Sequence, residues 1–210
     1  MKYLKLAALS SVIALTALTA TAHDHTESKP ASQPASMQKV EVPTYAVDTV
    51  HSSIVFGIKH NNLNLVFGSF NKFDGTIKFH PDNLADSSME ITVDVTSVDT
   101  NNEGRDEHIQ DNSYFNTAEA PKAMFKSKRI EHVSGKTYKV MGDLTIGGET
   151  QPLTFNFDYA EPKQDKWGNT KTGATTEITL DRTQFGQTGG LDSGLARKVT
   201  VMISLQAAEV

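Results

Sequence analysis

The sequence predicts an all-β domain, a barrel of about eight antiparallel strands with one short helix. Apolar and polar residues alternate with period two through most of the chain after Thr44, which is typical of strands with one buried face. Glycine-rich turn signals separate these segments. There is no repeat of fixed period and no second linker, so one domain over 44–210 is the simplest interpretation. Such strands form a closed barrel or a sandwich, and we favour the barrel.

Seven segments alternate clearly, and their parity predicts which residues point inward. In chain order the inward sets are Ile54, Phe56 and Ile58; Phe73, Gly75, Ile77 and Phe79; Met89, Ile91, Val93 and Val95; Tyr138, Val140, Gly142, Leu144 and Ile146; Leu153, Phe155, Phe157 and Tyr159; Ile178 and Leu180; and Val199, Val201, Ile203 and Leu205. An eighth strand is expected from Lys122 to Glu131. Ser134-Gly135 and Gly147-Gly148 are typical of hairpin turns, and Gly189-Gly190 of a longer loop.

One segment departs from the alternation. Thr100 followed three residues later by Glu103 matches a capping box, in which the two side chains satisfy free N–H groups at a helix start. We therefore expect a helix that begins after Thr100 and ends at about Ser113. Ala120-Pro121 marks the return to extended chain.

The N-terminus resembles an export signal. Lys2 and Lys5 precede an apolar run over 6–18, and Ala20-Thr21-Ala22 has the small-x-small pattern of a cleavage site. The run is too short for a comfortable membrane span. We expect a signal peptide over 1–22 and a periplasmic mature protein. Residues 23–43 are rich in Ser and Pro and lack aromatics, which predicts a disordered tether.

Composition excludes several classes of function. The chain has 20 Lys+Arg against 25 Asp+Glu, a formal charge of −5, and this acidic balance disfavours nucleic acid as a partner. There is no cysteine, which excludes disulfides and thiolate metal sites. The sequence leaves monomer and homodimer open.

Cleavage after Ala22 would leave His23-Asp24-His25 at a free amino terminus. The amine, two backbone amides and the imidazole of His25 can form the square-planar nitrogen set that Cu(II) and Ni(II) favour. His23 and His25 are therefore a candidate metal site. The alternative, which we favour, is a solvated polar tail.

No catalytic signature is recognisable: the nucleophile elbow, zinc helix, phosphate loop and dinucleotide fingerprint are all missing, and we predict a protein that is not an enzyme. Arg105, Asp106 and His108 lie on the predicted helix. They could bind a ligand head group or fix the helix and nearby loops, and we favour the structural role. The many Phe residues leave two alternatives open, a solid core or an apolar cavity that binds a ligand.

Six ordered motifs resemble the YceI-like family. They are Tyr45-Ala46-Val47-Asp48 with His51-Ser52, Phe56 and Lys59-His60; Gly68-Ser69-Phe70 with Phe73-Asp74-Gly75; Ser97-Val98-Asp99-Thr100 with Arg105-Asp106-x-His108-Ile109; Phe115-Asn116 with Ala120-Pro121; Gly142-Asp143-Leu144-Thr145-Ile146; and Arg182-x-x-Phe185-Gly186. The resemblance implies an elongated, lipocalin-like eight-stranded barrel. It also implies an exported protein that holds a long-chain isoprenoid, such as a polyprenyl phosphate or a quinone, or another amphiphile such as a fatty acid or amide, in an apolar tunnel.

Our leading hypothesis is therefore carriage or storage of such a lipid in the periplasm, with no cofactor other than a bound isoprenoid or quinone-like ligand. The predicted ligand-binding residues are Phe56, Ile58, Phe70, Phe73, Ile91, Val93, Arg105, Asp106, His108, Leu144, Phe155, Phe157, Ile178, Leu180, Val201 and Ile203. Two alternatives remain open. One is an enzyme that acts on a lipid-like substrate, and the other is a solid-core barrel that binds a partner protein or buffers Cu(II) or Ni(II).

Overall fold

The structure, a computed structural model, describes residues 40–210, in which eleven antiparallel strands join edge to edge into a sheet that closes on itself. The strands are β1 (Thr44–Val47), β2 (Ser53–His60), β3 (Asn64–Phe70), β4 (Phe73–Lys78), β5 (Ser88–Asp94), β6 (Val98–Asp99), β7 (Lys122–Ser134), β8 (Thr137–Ile146), β9 (Glu149–Gln164), β10 (Thr170–Asp181) and β11 (Leu195–Glu209). The α-helix, α1, spans Glu103–His108.

The ring of paired strands is β1-β4-β5-β7-β8-β9-β10-β11, and β11 pairs back onto β1. β11 pairs with β1 near its C-terminal end and with β2 over the rest of its length. In the same way β1 pairs with β4 where β2 pairs with β3, and β4 pairs with β5 where β3 pairs with β6. We therefore count β1 with β2, β3 with β4, and β5 with β6 as three bent strands. Counted this way, the barrel has the eight strands predicted, and the predicted fold class is confirmed.

Asp48 holds the corner between β1 and β2. Its carboxylate accepts hydrogen bonds from the backbone N–H of Val50, from His51 Nδ1 at 2.9 Å, and from Gln206 Nε2 at 3.1 Å. The hydrogen bond from His51 is the main cause that lowers the pKa of Asp48 to about 2. These bonds fix the bend against β11, so that β1 and β2 can share one edge of that strand.

Parity predicts the inward faces well. Ile54, Phe56 and Ile58 are buried on β2, and Tyr138 and Val140 are buried on β8. On β7 the pairing register shifts between Ser127 and Arg129. The shift brings both Phe125 and Ile130 inward, although one has an odd number and the other an even number.

β3 is absent from the predicted alternation because its apolar residues are divided between the two faces: Phe70 lines the cavity, whereas Leu65 and Phe67 face outward. Leu63, Leu65 and Phe67 are exposed, and the ring of Phe67 covers Gly57 on the neighbouring strand. The β2–β3 turn uses Asn61 and Asn62 in the left-handed region, with φ of 53° and 54°. Asparagine tolerates this conformation better than other residues with a side chain.

The predicted helix start and end are wrong. Asn102, not Thr100, caps α1: its side chain accepts a hydrogen bond from the backbone N–H of Arg105. The Thr100 hydroxyl instead accepts from Arg105 Nε and donates to Asp106, so it does not accept from a backbone N–H of the helix. The helix ends at His108 rather than near Ser113, and turns follow it.

The signal peptide over 1–22, most of the tether and the His23–His25 site lie outside the described residues and stay predictions. Residues 40–43 precede β1 and are held to the barrel: the Pro43 carbonyl accepts from the Phe79 N–H at 3.3 Å, and the Val40 carbonyl accepts from Asn83 Nδ2 at 2.7 Å. Among residues 40–210, no helix has the length and apolarity needed to cross a membrane.

Candidate functional site

The barrel encloses a cavity of about 220 Å³ whose walls are almost entirely apolar. The walls are the inward side chains of the strands, so they follow from the period-two pattern. From β2, β5, β8, β9, β10 and β11 they include Ile54, Phe56, Ile58, Met89, Ile91, Val93, Leu144, Ile146, Leu153, Phe155, Ala174, Ile178, Leu180, Val199, Val201 and Ile203. An apolar interior with room inside it is typical of a ligand-binding barrel rather than a solid core.

Packed aromatic rings close one end of the barrel. The Phe79 ring lies 4.9 Å from Tyr138, 5.9 Å from Phe157 and 4.6 Å from Tyr159, measured between centroids, and Tyr45 is buried near them. Burial raises the pKa of all three tyrosines, so their hydroxyls stay neutral. Of these five residues, Phe157 lines the cavity and the other four do not. We name Tyr45, Phe79, Tyr138, Phe157 and Tyr159 the aromatic floor.

The opposite end is crossed by the segment that follows α1. Ile109, Tyr114 and Phe115 of this segment line the cavity. Phe115 contacts Phe70 of β3 edge to face at 5.7 Å, and the Ser113 carbonyl accepts from the Gly189 N–H at 2.7 Å. The segment therefore bridges β3 and the β10–β11 loop across the barrel end, and we name residues 109–115 the cap.

A polar corner lies beside the cap. Arg182 begins a short 3-10 helix, Arg182–Phe185, between β10 and β11. Its side chain and that of Gln187 line the cavity, and the two residues are only 5% and 6% exposed. Burial lowers the pKa of the Arg182 guanidinium, but arginine stays protonated at neutral pH. A positive charge thus sits at the capped end of an apolar cavity.

Twelve of the thirteen apolar residues predicted to bind the ligand line the cavity. The twelve are Phe56, Ile58, Phe70, Ile91, Val93, Leu144, Phe155, Phe157, Ile178, Leu180, Val201 and Ile203. Phe73 is buried in the core and is not part of the wall. Whether these residues bind a ligand stays a prediction.

Arg105, Asp106 and His108 lie away from the cavity wall. Arg105 Nε and Nη2 donate to the Thr100 hydroxyl and carbonyl at 2.7 and 2.6 Å, and the carboxylate of Asp106 accepts from the Thr100 N–H at 2.8 Å. The pair therefore joins α1 to the end of β6 through Thr100 rather than through a direct ion pair. His108 is exposed and lies 3.4 Å from the Asp111 carboxylate. Arg105 and Asp106 thus make structural contacts here, and whether any of the three residues binds a ligand head group stays a prediction.

The sequence reasoning missed the residues that the loops contribute. Tyr114, Arg182, Phe185 and Gln187 line the cavity from segments without alternation. Arg182 and Phe185 belong to a recognised motif, which was the available signal, but the motif did not indicate that the guanidinium faces inward. No group of three or more His, Cys, Asp or Glu residues in the part of the chain from residue 40 onward is arranged to hold a metal.

Comparison with known proteins gives consistent matches. The model of the YceI-like domain matches residues 45–207. A UPF0312 protein of Vibrio cholerae is 35% identical over 144 residues, which cover 68% of this chain and 76% of the relative. A UPF0312 protein of Yersinia pestis is 32% identical over 160 residues, covering 76% and 82%.

Two solved structures have similar folds. BcnA of Burkholderia cenocepacia superposes with a TM-score of 0.69 at 25% identity, covering 76% of this chain and 98% of BcnA. A polyisoprenoid binding domain of Saccharophagus degradans, implicated in plant cell wall breakdown, superposes with a TM-score of 0.61 at 14% identity, covering 79% and 98%. The second likeness concerns the fold alone.

Proposed function

Since the chain belongs to the YceI-like family, we propose that its barrel binds the tail of a long-chain amphiphilic lipid, an isoprenoid or a similar molecule, for carriage or storage in the periplasm. The observation that carries the proposal is the cavity. Strands from around the whole barrel contribute apolar side chains to it, and four polar side chains, Tyr114, Thr176, Arg182 and Gln187, are its exceptions. Such a lining solvates an apolar tail and offers few partners to a polar molecule.

Burial of the tail supplies the binding free energy. Each CH₂ removed from water contributes ~0.8 kcal/mol, so a tail of roughly fifteen carbons contributes ~12 kcal/mol. Association costs ~4–15 kcal/mol in lost motion, so short tails cannot offset it. Affinity should therefore increase with tail length until the tail reaches the aromatic floor.

The lining favours binding over catalysis. Among the described residues, those that line the cavity include no histidine, carboxylate or serine, and these are the groups that acid–base and nucleophilic mechanisms use most. The similar fold of the polyisoprenoid binding domain from Saccharophagus degradans supports an isoprenoid as the first class of ligand to test.

The test is native mass spectrometry of the mature protein, purified without detergent, followed by solvent extraction and mass analysis of what leaves it. We expect a stoichiometric adduct with the mass of an isoprenoid or long-chain acyl compound. In parallel, prenols of two, three and four isoprene units should bind the delipidated protein with increasing affinity. An apo mass together with no binding of any prenol or long-chain alcohol would overturn the proposal.

A further inference from the structure

Arg182 is a buried cation with one edge unused. Its Nε donates to the Ala196 carbonyl at 2.8 Å and its Nη1 donates to the Gln187 carbonyl at 2.9 Å. Its Nη2 is buried and has no hydrogen-bond partner in the described residues. The two carbonyls fix the plane of the guanidinium, so the direction in which the free Nη2 can donate is also fixed.

Gln187 repeats this pattern beside it. The side-chain Nε2 of Gln187 is buried and also lacks a partner within residues 40–210. Both free groups are donors, and both residues line the cavity. Buried donors without acceptors are rare in native proteins because each loses its hydrogen bonds to water. Two of them at the same corner of an apolar cavity are free to donate to a bound ligand.

Among the described residues, no carboxylate forms an ion pair or a hydrogen bond with Arg182, although the charge of Asp181 favours its protonated form. The adjacent carboxylate, Asp181, is committed elsewhere: it accepts from Arg197 Nη2 at 2.9 Å and from the Thr183 hydroxyl at 2.6 Å. Arg182 itself donates to neutral carbonyl oxygens. A buried charge is stable when it is paired, so a negatively charged acceptor suits this corner better than a neutral one.

We propose that Arg182 and Gln187 bind the head group of the ligand, a singly charged carboxylate, while the tail extends along the cavity toward the aromatic floor. This inference rests on the proposed function and names the head group that function leaves open. A carboxylate has two oxygens to accept from the two free donors, and its single charge balances the single charge of Arg182. A phosphomonoester carries about −1.5 to −2 at neutral pH, which would leave negative charge unpaired in the apolar cavity.

The experiment compares ligands that share one tail and differ in head group. Hexadecanoic acid, hexadecanol and hexadecyl phosphate displace bound N-phenyl-1-naphthylamine, a neutral fluorescent probe, from the delipidated protein at neutral pH. We expect the acid to bind roughly 10- to 100-fold more tightly than the alcohol, as is usual for a hydrogen bond to a charged group. Tighter binding of the phosphate than of the acid would overturn the assignment to a carboxylate.

Variants localise the effect. Arg182→Met should reduce the affinity for the acid to that for the alcohol measured on the same variant. Gln187→Met keeps the backbone carbonyl that Arg182 uses, and it should lower the preference for the acid severalfold even if Arg182→Met fails to fold. Lys198→Met removes an exposed cation of β11 at the same barrel end, and it is the matched control that should keep the full preference.

The outcomes separate the two proposals. Equal binding of acid and alcohol by the wild-type protein would overturn the head-group site and leave the proposed function standing. Failure of the acid, the alcohol and the phosphate to bind would count against the proposed function itself. A full preference for the acid in folded Arg182→Met and Gln187→Met would show that the head group lies elsewhere.

Discussion

Filling the cavity with a protein ring should remove room that the ligand tail needs. Val201 lies midway along β11, between Phe56 of β2 and Ile178 of β10, and all three line the cavity. Val201→Phe adds four carbons, which take roughly 50 Å³ if each needs the ~10–15 Å³ of cavity that holds one water molecule. This is about a quarter of the 220 Å³ present.

The loss of affinity follows from the carbons displaced. A tail that loses burial of about four CH₂ groups loses ~3 kcal/mol at ~0.8 kcal/mol each. At ~1.4 kcal/mol per tenfold change, Kd should rise roughly 200-fold. The protein itself should lose little stability, since the new ring enters free space rather than a filled core.

The assay is displacement of the fluorescent probe by a long-chain alcohol, with urea unfolding to establish that each variant is folded. Met202→Phe is the matched control, because Met202 neighbours Val201 on β11 and points to the other face of the strand. A folded Val201→Phe protein with a Kd within twofold of wild type would refute the assignment of this cavity as the binding site.

Two further changes test the fold. Because the pKa of Asp48 is lowered from 3.8 to about 2, chiefly by the hydrogen bond from His51, its contribution to stability is complete above pH 3.8 and is lost as the pH falls toward 2. Asp48→Asn should remove that dependence, and urea unfolding at about pH 7 and about pH 2.5 checks it; an unchanged acid slope would contradict the role of this carboxylate. Gly142→Ala should destabilise the barrel by ~1–3 kcal/mol, since a Cβ there would lie 2.7 Å from the Phe125 ring. Gly104→Ala, on α1, should instead stabilise by ~0.5–1 kcal/mol, since a Cβ there has only Asn102 Oδ1 nearby, at an ordinary contact distance of 3.8 Å. Equal unfolding midpoints for the two variants would contradict both expectations.

The alternation of apolar and polar residues could predict the cavity walls because each strand of the wall has one face toward the interior. Phe56, Ile178 and Val201 come from three strands paired side by side, and parity alone places each of them inward. The same rule could not find β3, whose Leu65 and Phe67 face outward, because alternation does not say which face is buried.

The polar corner formed by Arg182 and Gln187 could not be predicted from the sequence, for a different reason. Arg182 points inward because the carbonyls of Ala196 and Gln187 hold its guanidinium, and these three residues meet only when the β10–β11 loop folds back on itself. The error at α1 has a similar cause. Thr100 matched a capping pattern, but its hydroxyl accepts from the side chain of Arg105 and donates to Asp106, and the local sequence does not distinguish these bonds from a cap.

The aromatic floor gives the cavity a fixed depth. From Ala196, beside the polar corner, to Leu205, at the floor, β11 advances nine residues, roughly 30 Å along the strand, or roughly 23 Å along the axis of a barrel with typical strand tilt. With a head group held at one limit and packed rings at the other, the barrel would act as a ruler for its ligand. Tail length, and not only apolarity, would then decide which lipids this protein selects.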